Sequence, residues 1–457
     1  MNLHFIYICL IMKKVLILAY DFPPYVSVGG LRPYNWFKYL KEFGVEPIVV
    51  TRQWGNEYGN SLDYISPSAS KKTLIEEEEY GTVIRAPYLP SFSNRILLKH
   101  GEEKYRFFRK ALTAIDEIRQ FLWVSGPKKQ LFLAAEKYLI NNKVDAIIAT
   151  GRPFILFKYV SILSKEYNIP WIADYRDPWS QSSSYRKKYL HRIVSYLYER
   201  RITKSSSHIT TPSDYFKYRL SKLFPNIDIS IIGNGFDPEV ADSLTNVSQD
   251  NHKLSIALLG TVYPWHPIKS FLSVLTKFVD SEKNSVNLNF YGTNNKQEIT
   301  NIINESFPIL KSMINFYPKM NNKEVLKEMA TNNVLLLFNY YAFVGTKIFD
   351  YLLVRRQILF CYTNEPNAIN LRNKFYGFND KVANKISIQE DIIKDTNSGL
   401  IIKNELHLLE TLKVLSKEFR ETKSIKCNTR NIEMYSRKKI TNNFAELLLK
   451  VINERKA

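Results

Sequence analysis

The chain has 457 residues and a net charge of +20, with 45% hydrophobic and 24% charged residues. This composition excludes wholesale disorder, and at roughly 150 residues per domain the length predicts two or three domains. The three cysteines, Cys9, Cys361 and Cys427, lie far apart in the sequence, which argues against a disulfide framework or a structural zinc site and fits a reducing compartment.

The N-terminus begins with an apolar run from Leu3 to Met12. A transmembrane helix needs about 20 residues, so this run is too short to span a bilayer. No basic residue precedes it and no small-residue cleavage site follows it, which argues against a signal peptide. Because Met12 leads directly into two lysines and an apolar strand, we expect residues 1–11 to be a non-native upstream extension of a cytoplasmic protein.

Over residues 12–238, short apolar runs alternate with stretches of helical periodicity. Strands are predicted at residues 15–20, 47–51, 82–86, 146–150, 171–174, 208–211 and 229–232. Helices are predicted between many of them, at residues 32–43, 131–141, 154–167 and 185–204. Strands that are apolar on both faces and are joined by helices indicate a parallel sheet, so this first domain is predicted to be Rossmann-like.

Residues 239–253 are polar and are predicted to be a linker, after which the alternation restarts. Strands are predicted at residues 254–259, 288–291, 314–317, 334–338, 358–361 and 400–402, and helices at residues 268–281, 297–305, 322–331, 346–354 and 405–419. The predicted fold class is therefore α/β, with a second doubly wound, Rossmann-like domain at residues 254–430. A C-terminal helix within residues 431–457 is expected to pack back on the first domain.

The loops at the carboxyl ends of the predicted strands are the expected ligand sites, as in other doubly wound sheets. After the first strand, the loop from Asp21 to Arg32 contains Gly29 and Gly30, which would let main-chain amides and a helix N-terminus approach a phosphate. A plain turn between strand and helix is the alternative. A second such loop, after residues 146–150, contains Arg152.

A third loop places two carboxylates and an arginine directly after an apolar strand. Asp174, Arg176 and Asp177 would be costly to desolvate there unless they are paired or used in chemistry. An ion pair of Arg176 with either aspartate is the structural explanation. The functional explanation is that these charged side chains take part in binding or catalysis.

The clearest anion-binding signature follows the strand predicted at residues 334–338. Gly345, Thr346 and Lys347 open a helix there, so up to four unpaired N–H groups and one cationic side chain could face an anion. Asp350 lies one turn further along, where its carboxylate could accept hydrogen bonds from a ribose diol. An ordinary amphipathic helix would explain the apolar residues that follow, but not this entry. The spacing therefore suits a nucleoside diphosphate.

Six strand-end motifs occur in a characteristic order: DFPP…GG…R, TGRPF, IPWIADYRDPWS, TPSDYF…NGFD, LLGTVY and GTKIFDYL. Together they resemble the retaining nucleotide-sugar glycosyltransferases of GT-B fold, in particular family 4 and its bacterial polysaccharide and lipopolysaccharide branch. The resemblance covers nearly the whole chain from Met12. It implies two Rossmann-like domains facing across a cleft, with the acceptor on the N-terminal domain and the nucleotide sugar on the C-terminal domain.

The resemblance also implies a role for each candidate residue. The diphosphate would meet Gly345, Thr346 and Lys347, and the ribose would meet Asp350. Weaker phosphate contacts are expected from Thr261 and Lys269, in and after the loop that ends residues 254–259. The remaining candidates lie in the first domain: Gly29 and Gly30 towards the donor or acceptor, Arg32 and Arg152 on the acceptor side, and Asp174, Arg176 and Asp177 as catalytic candidates.

Two residues depart from the family pattern. Ala342 stands where the first acid of the E-x7-E element is expected, with seven residues between it and Asp350, and Thr261 replaces the usual arginine after the first strand of the C-terminal domain. These departures keep open a second interpretation, a non-catalytic nucleotide- or sugar-binding partner subunit of a glycan-assembly system.

The expected partners follow from the same features. A nucleotide-diphosphate sugar is the expected donor, and no cofactor or metal is expected because no metal-binding Asp-x-Asp stands out at a strand end. The basic segment from Tyr185 to Lys204 and the aromatic and basic residues from Arg95 to Trp123 suggest an anionic membrane surface near a glycan or lipid-linked acceptor. A merely solvated helix is the alternative. No nucleic-acid-binding signature is present, so no nucleic acid is expected.

Overall fold

A computed structural model of the chain describes residues 12–25, 27–55, 62–181, 189–282, 286–376 and 386–454. The expected upstream extension, residues 1–11, lies outside this range. The described chain divides into two compact units. The first contains the residues up to Gly233 and those from Ile440 onward, and the second runs from Asn234 to Lys439.

The first unit is built on a sheet of eight strands. They are β1 (Lys13–Leu18), β2 (Val45–Arg52), β3 (Leu74–Glu78), β4 (Gly81–Ala86), β5 (Ala146–Gly151), β6 (Trp171–Tyr175), β7 (His208–Thr211) and β8 (Ile229–Ile231). Their order is β3-β4-β2-β1-β5-β6-β7-β8, and every pair is parallel except β3 with β4. The predicted parallel sheet is confirmed.

Helices cover both faces of this sheet. They are α1 (Val28–Tyr39), α2 (Phe92–His100), α3 (Arg106–Leu122), α4 (Lys129–Asn141), α5 (Ile155–Tyr167), α6 (Tyr189–Thr203), α7 (Asp214–Leu223) and the C-terminal helix α15 (Arg437–Glu454). On one face, α4 and α5 bury residues such as Leu131 and Phe157 against the strands. On the other, α1 meets α15 from Ile440 onward, with the rings of Trp36 and Phe444 4.4 Å apart.

The second unit repeats this layered plan. Its strands are β9 (Leu254–Leu259), β10 (Val286–Tyr291), β11 (Ile314–Tyr317), β12 (Val334–Phe338), β13 (Gln357–Cys361) and β14 (Gly399–Ile402). They are all parallel, in the order β11-β10-β9-β12-β13-β14. Its helices are α8 (Ile268–Glu282), α9 (Lys296–Ser306), α10 (Asn322–Thr331), α11 (Lys347–Val354), α12 (Pro366–Tyr376), α13 (Ile388–Thr396) and α14 (Glu405–Thr422).

Strand β3 is not predicted by the sequence. It is an antiparallel edge strand whose residues are mostly exposed, so it lacks the apolar run by which the other strands are recognised. Its acidic side chains face Arg85 of β4, which forms ion pairs with Glu76 (2.6 Å) and Glu78 (3.0 Å). These ion pairs favour the observed register of β3 against β4, since the exposed residues of β3 gain little from hydrophobic burial.

Residues 239–253, for which the sequence predicted a linker, lie in the second unit. Pro238–Leu244 forms a 3-10 helix, and Leu244 is buried in the core with α10 and α11. In the described part of the chain, no helix combines the length and apolar composition needed to cross a membrane.

Candidate functional site

Helix α11 begins beside the loop that follows β9. The Nζ atom of Lys347 donates a hydrogen bond to the main-chain carbonyl of Thr261 (2.7 Å). Gly260 has a φ of 68°, and a Cβ atom there would lie 3.3 Å from Cε of Lys347, so both conformation and space favour glycine. Burial lowers the pKa of Lys347 to about 7. The structure therefore brings two predicted residues together, although Thr261 contributes its carbonyl rather than its side chain.

Tyr351 holds α11 in this position. Its hydroxyl group accepts a hydrogen bond from the amide of Leu259 (3.0 Å) and donates one to the carbonyl of Leu336 (3.1 Å). These partners lie on the neighbouring strands β9 and β12, so the tyrosine joins the helix to the carboxyl end of β9 and the middle of β12. The first turn of α11 is thereby kept at the edge of the sheet where ligands bind in this class of fold.

His266 is a third member of this group, and the sequence analysis assigned it no role. Its Nδ1 atom accepts a hydrogen bond from the amide of Tyr263 (3.2 Å), which leaves the proton of the neutral ring on Nε2. Nε2 is buried and has no hydrogen-bond partner among the described residues. Burial, with the charge of Lys347 nearby, holds the pKa of His266 well below its usual range. It is thus a neutral N–H donor beside a lysine.

Asp350 has neighbours of its own. The side chain of Asn322 hydrogen-bonds its carboxylate, and the positive charge of Arg437 lies nearby. Burial outweighs both and raises the pKa of Asp350 to about 6. A ribose diol at this position would therefore share the carboxylate with Asn322.

The other residues expected at the donor are placed differently. Gly345 and Thr346 lie just before α11, and no side-chain hydrogen bond from a described residue caps the helix at Thr346. Ala342 is fully buried, and Lys269 is exposed in the first turn of α8. Of the two predicted lysines, only Lys347 lies in the group with Thr261 and His266.

In the first unit, Arg32 of α1 forms a buried ion pair with Asp174 at the end of β6. Its guanidinium group donates to both carboxylate oxygens, at 2.7–3.1 Å, and to the carbonyls of residues 232 and 233. The hydroxyl groups of Thr150 and Thr210 donate to the same carboxylate at 2.8 Å. Asp174 is fully buried, so in this structure it ties α1 and three strand ends together.

Arg176 pairs with neither aspartate through a salt bridge. Its guanidinium group donates to the main-chain carbonyls of Gly29, Gly151 and Arg152. A Cβ atom at Gly29 would overlap this guanidinium group and the carboxylate of Asp21. This steric requirement explains the glycine without a bound phosphate. The neighbouring Gly30 donates its amide to Ser27, the N-cap residue of α1 (3.0 Å).

The exposed members of the first-unit candidates are Asp177 and Arg152. Their side chains are 54% and 39% exposed, and Oδ2 of Asp177 lies 3.9 Å from Nε of Arg152. Only these two of the predicted ionisable groups of the first unit reach solvent substantially, since Arg32 and Asp174 are buried and Arg176 is largely enclosed by carbonyls.

Asp21 and Lys128 join this strand edge, and the sequence analysis assigned neither a site role. The carboxylate of Asp21 accepts a hydrogen bond from the hydroxyl group of Tyr64 (3.1 Å), and burial raises its pKa against the opposing charge of Arg176. Lys128 lies 5.3 Å from the centre of the Tyr20 ring, and burial with the charge of Arg52 lowers its pKa to about 8. Lys128 is far from β1 in the sequence, and the fold places it near the carboxyl end of that strand. Among the described residues, no group of three or more metal-ligating side chains is present.

Comparisons with known proteins agree with this architecture. Residues 33–240 match the sequence model of Glycosyltransferase Family 4, a range that lies almost entirely in the first unit. No curated protein matches the sequence.

Solved structures match along nearly the whole chain. Sucrose-phosphate synthase from Thermosynechococcus elongatus has a TM-score of 0.60 at 11% identity, with 97% of this chain and 100% of that chain covered. The UDP-forming α,α-trehalose-phosphate synthase from Burkholderia xenovorans, in complex with glucose-6-phosphate, has a TM-score of 0.56 at 10% identity, with 96% and 100% covered. The chain has the GT-B fold.

The GT-B fold is also that of Anabaena HepE in complex with UDP and glucose, which has a TM-score of 0.51 at 11% identity, with 96% of this chain and 99% of that chain covered. At this low identity the likeness is one of fold. The sugars and nucleotides in the names of these three structures belong to those proteins.

Proposed function

We propose that this protein is a glycosyltransferase that moves a hexosyl or related sugar from a nucleoside-diphosphate sugar to a hydroxyl group of a growing surface glycan. The observation that carries the proposal is the group of Lys347, Thr261 and His266 at a strand edge of a GT-B fold. In line with the family it resembles, the transfer retains the anomeric configuration, needs no metal, and uses a lipid-linked acceptor at the cytoplasmic face of the membrane.

The nucleotide-sugar site is assigned from where charge develops during sugar transfer. As the bond between sugar and diphosphate breaks, negative charge grows on the departing phosphate, and donors fixed in advance around it lower the barrier. Lys347 supplies an ammonium group, His266 an unused N–H group, and the start of α11 its main-chain amides. Gly345 and Thr346 leave room for the phosphate, and Asp350 accepts from the ribose.

The acceptor role is assigned to the first unit. Asp177 and Arg152 are exposed there and orient the acceptor hydroxyl group, with Asp21 as a further carboxylate at the same strand edge. Asp174, Arg32 and Arg176 act as positioning residues, because their charged groups are engaged within the protein.

A screen of donors tests this proposal. We expect one of UDP-glucose, UDP-galactose, UDP-N-acetylglucosamine and GDP-mannose to bind and to release its nucleoside diphosphate slowly, with faster release when a glycan acceptor is added. The readout is calorimetric binding together with free diphosphate. Binding without any release would instead favour a non-catalytic partner subunit. The buried Ala342, at the position where the family has an acid, supports that alternative. Absence of binding to every donor would overturn the proposal.

The affinity for the diphosphate is expected to fall as the pH rises through 7. Lys347 has a pKa of about 7 in the unliganded protein, and a bound diphosphate favours its charged form, so binding takes up a proton above that pH. Between pH 6.5 and 8.5 the expected loss is up to roughly 25-fold in affinity for whichever of UDP, GDP and ADP binds most tightly. Calorimetry in two buffers of different ionisation enthalpy measures the proton uptake. Lys347→Arg should flatten the profile, because guanidinium stays charged; an affinity that rises with pH contradicts the assignment.

A further inference from the structure

Helix α3 presents a row of apolar side chains to solvent. Phe108, Ile115, Ile118 and Leu122 recur at helical spacing, and with Phe107 they are between 51% and 86% exposed. None of the 17 residues of α3 is fully buried. Such a face on a helix of about 25 Å calls for a partner, because contiguous exposed apolar surface is uncommon on soluble proteins.

The opposite side of α3 is firmly attached to the first unit. Lys158 of α5 donates to the carbonyls of Gln120, Phe121 and Trp123 at the end of the helix, at 2.9–3.0 Å. Near its start, Ser93 of α2 donates to the carbonyl of Arg109 (3.0 Å). The helix is therefore held from within, and the apolar row is its outer face.

Helix α6 continues this surface. The ring of Tyr198 stacks on Phe121 of α3, with centroids 4.6 Å apart, so the two helices are neighbours. One turn of α6 exposes Ile193, Val194 and Leu197, and the next exposes the cations Arg200 and Arg201. The basic residues 186, 187 and 188 of the segment from Tyr185 to Lys204 lie outside the described residues.

Charge selects the partner. Exposed Arg119 lies next to the apolar row of α3 at helical spacing, and exposed Arg200 and Arg201 follow the apolar turn of α6 on the same face of that helix. Tyr105 and Trp123 stand exposed at the two ends of α3. Apolar side chains flanked by cations, with aromatic residues at the ends, are what a helix lying in the interface of an anionic bilayer presents. A protein groove would have to accommodate these flanking cations as well.

We propose that α3 and α6 form a membrane-docking face that inserts the apolar row of α3 into the surface of an anionic bilayer. This proposal rests on the exposed side chains of α3 and α6 and not on the donor site. It rests on the proposed function only in explaining how a soluble donor and a lipid-linked acceptor would meet.

The test is sedimentation of the full-length protein with vesicles of phosphatidylcholine containing phosphatidylglycerol, compared with phosphatidylcholine alone. We expect binding to the anionic vesicles at about 0.1 M salt and weaker binding at about 1 M, where charges are screened. Phe108→Ser with Ile118→Ser should lower the bound fraction by at least roughly fivefold. A matched control is Leu406→Ser with Val414→Ser on α14, since both residues are also well exposed, and it should bind like the unaltered protein.

The outcomes separate this inference from the donor assignment. Nucleoside-diphosphate binding, measured without vesicles, should be equal in all three proteins, which also shows that the variants are folded. The inference is overturned if the unaltered protein stays in solution with both vesicle types, if both double variants lose binding equally, or if the α3 variant changes only the oligomeric state, which would make the face a contact between two copies.

Discussion

Replacing Asp174 by alanine is expected to destabilise the first unit by about 3–5 kcal/mol, because it leaves a buried guanidinium group without its counter-ion. Asp174 is 0% exposed and the side chain of Arg32 is 5% exposed. The carbonyls of residues 232 and 233 would remain as partners of Arg32, but they carry no net charge to balance it. Denaturant unfolding followed by tryptophan fluorescence suits the measurement, since five of the six tryptophans lie in the first unit and only Trp265 in the second.

Two controls separate the buried pair from a general loss of charge. Glu46→Ala removes a half-exposed partner of Lys14 on the same sheet and should cost about 1 kcal/mol or less. The double variant Arg32→Met with Asp174→Leu removes both charges and should be less destabilised than the sum of its single variants. Strict additivity would show that the two charged side chains are not coupled, and the proposed role of Asp174 as a positioning residue would fail.

Lys347→Ala is expected to lower turnover of the donor by roughly ten- to a hundredfold, the loss of one hydrogen bond from a charged group to the departing phosphate. Lys347 is the one predicted lysine that lies beside Thr261 and His266. The comparison of kcat with kcat/KM shows whether the interaction is made in the transition state, in which case both should fall together.

Exposed lysines of α8 provide the controls for this variant. Lys269→Ala should have a much smaller effect than Lys347→Ala, because the Lys269 side chain is exposed at the start of the helix. Lys277→Ala, two turns further along the same helix and equally exposed, should leave turnover unchanged. If Lys347→Ala behaves like Lys277→Ala, the diphosphate does not bind at α11.

Periodicity predicted most of the secondary structure because buried parallel strands are apolar on both faces. The strands 208–211, 254–259 and 334–338 agree with the structure at both ends. The edge strand β3 was missed, since its acidic residues are held by Arg85 and not by burial. The sequence indicates only an aromatic and basic segment where helices α2 and α3 lie, because the apolar residues of α3 face solvent rather than a core.

The candidate site was predictable only as far as local sequence determines it. The Gly-Thr-Lys entry to α11 identified Lys347, because a strand end, a glycine and a helix start are adjacent in sequence. His266 is not recognisable from local sequence, since its significance lies in a buried N–H group that is created by packing among the rings of Tyr263, Phe338 and Tyr340. The partner of Asp174 was likewise undecidable: sequence proximity suggested Arg176, whereas the sheet brings Arg32 there from 142 residues away.

Two parallel-sheet domains and the strand ends that carry functional groups are predictable from local sequence, because backbone hydrogen bonding and hydrophobic burial act through short, repeated patterns. Which charges are enclosed and which meet solvent follows from the fold and not from local sequence. Desolvation and ion pairing depend on neighbours that the fold brings together from distant parts of the chain. For that reason Asp174 and Arg32 became a buried pair, and Asp177 and Arg152 were left at the surface.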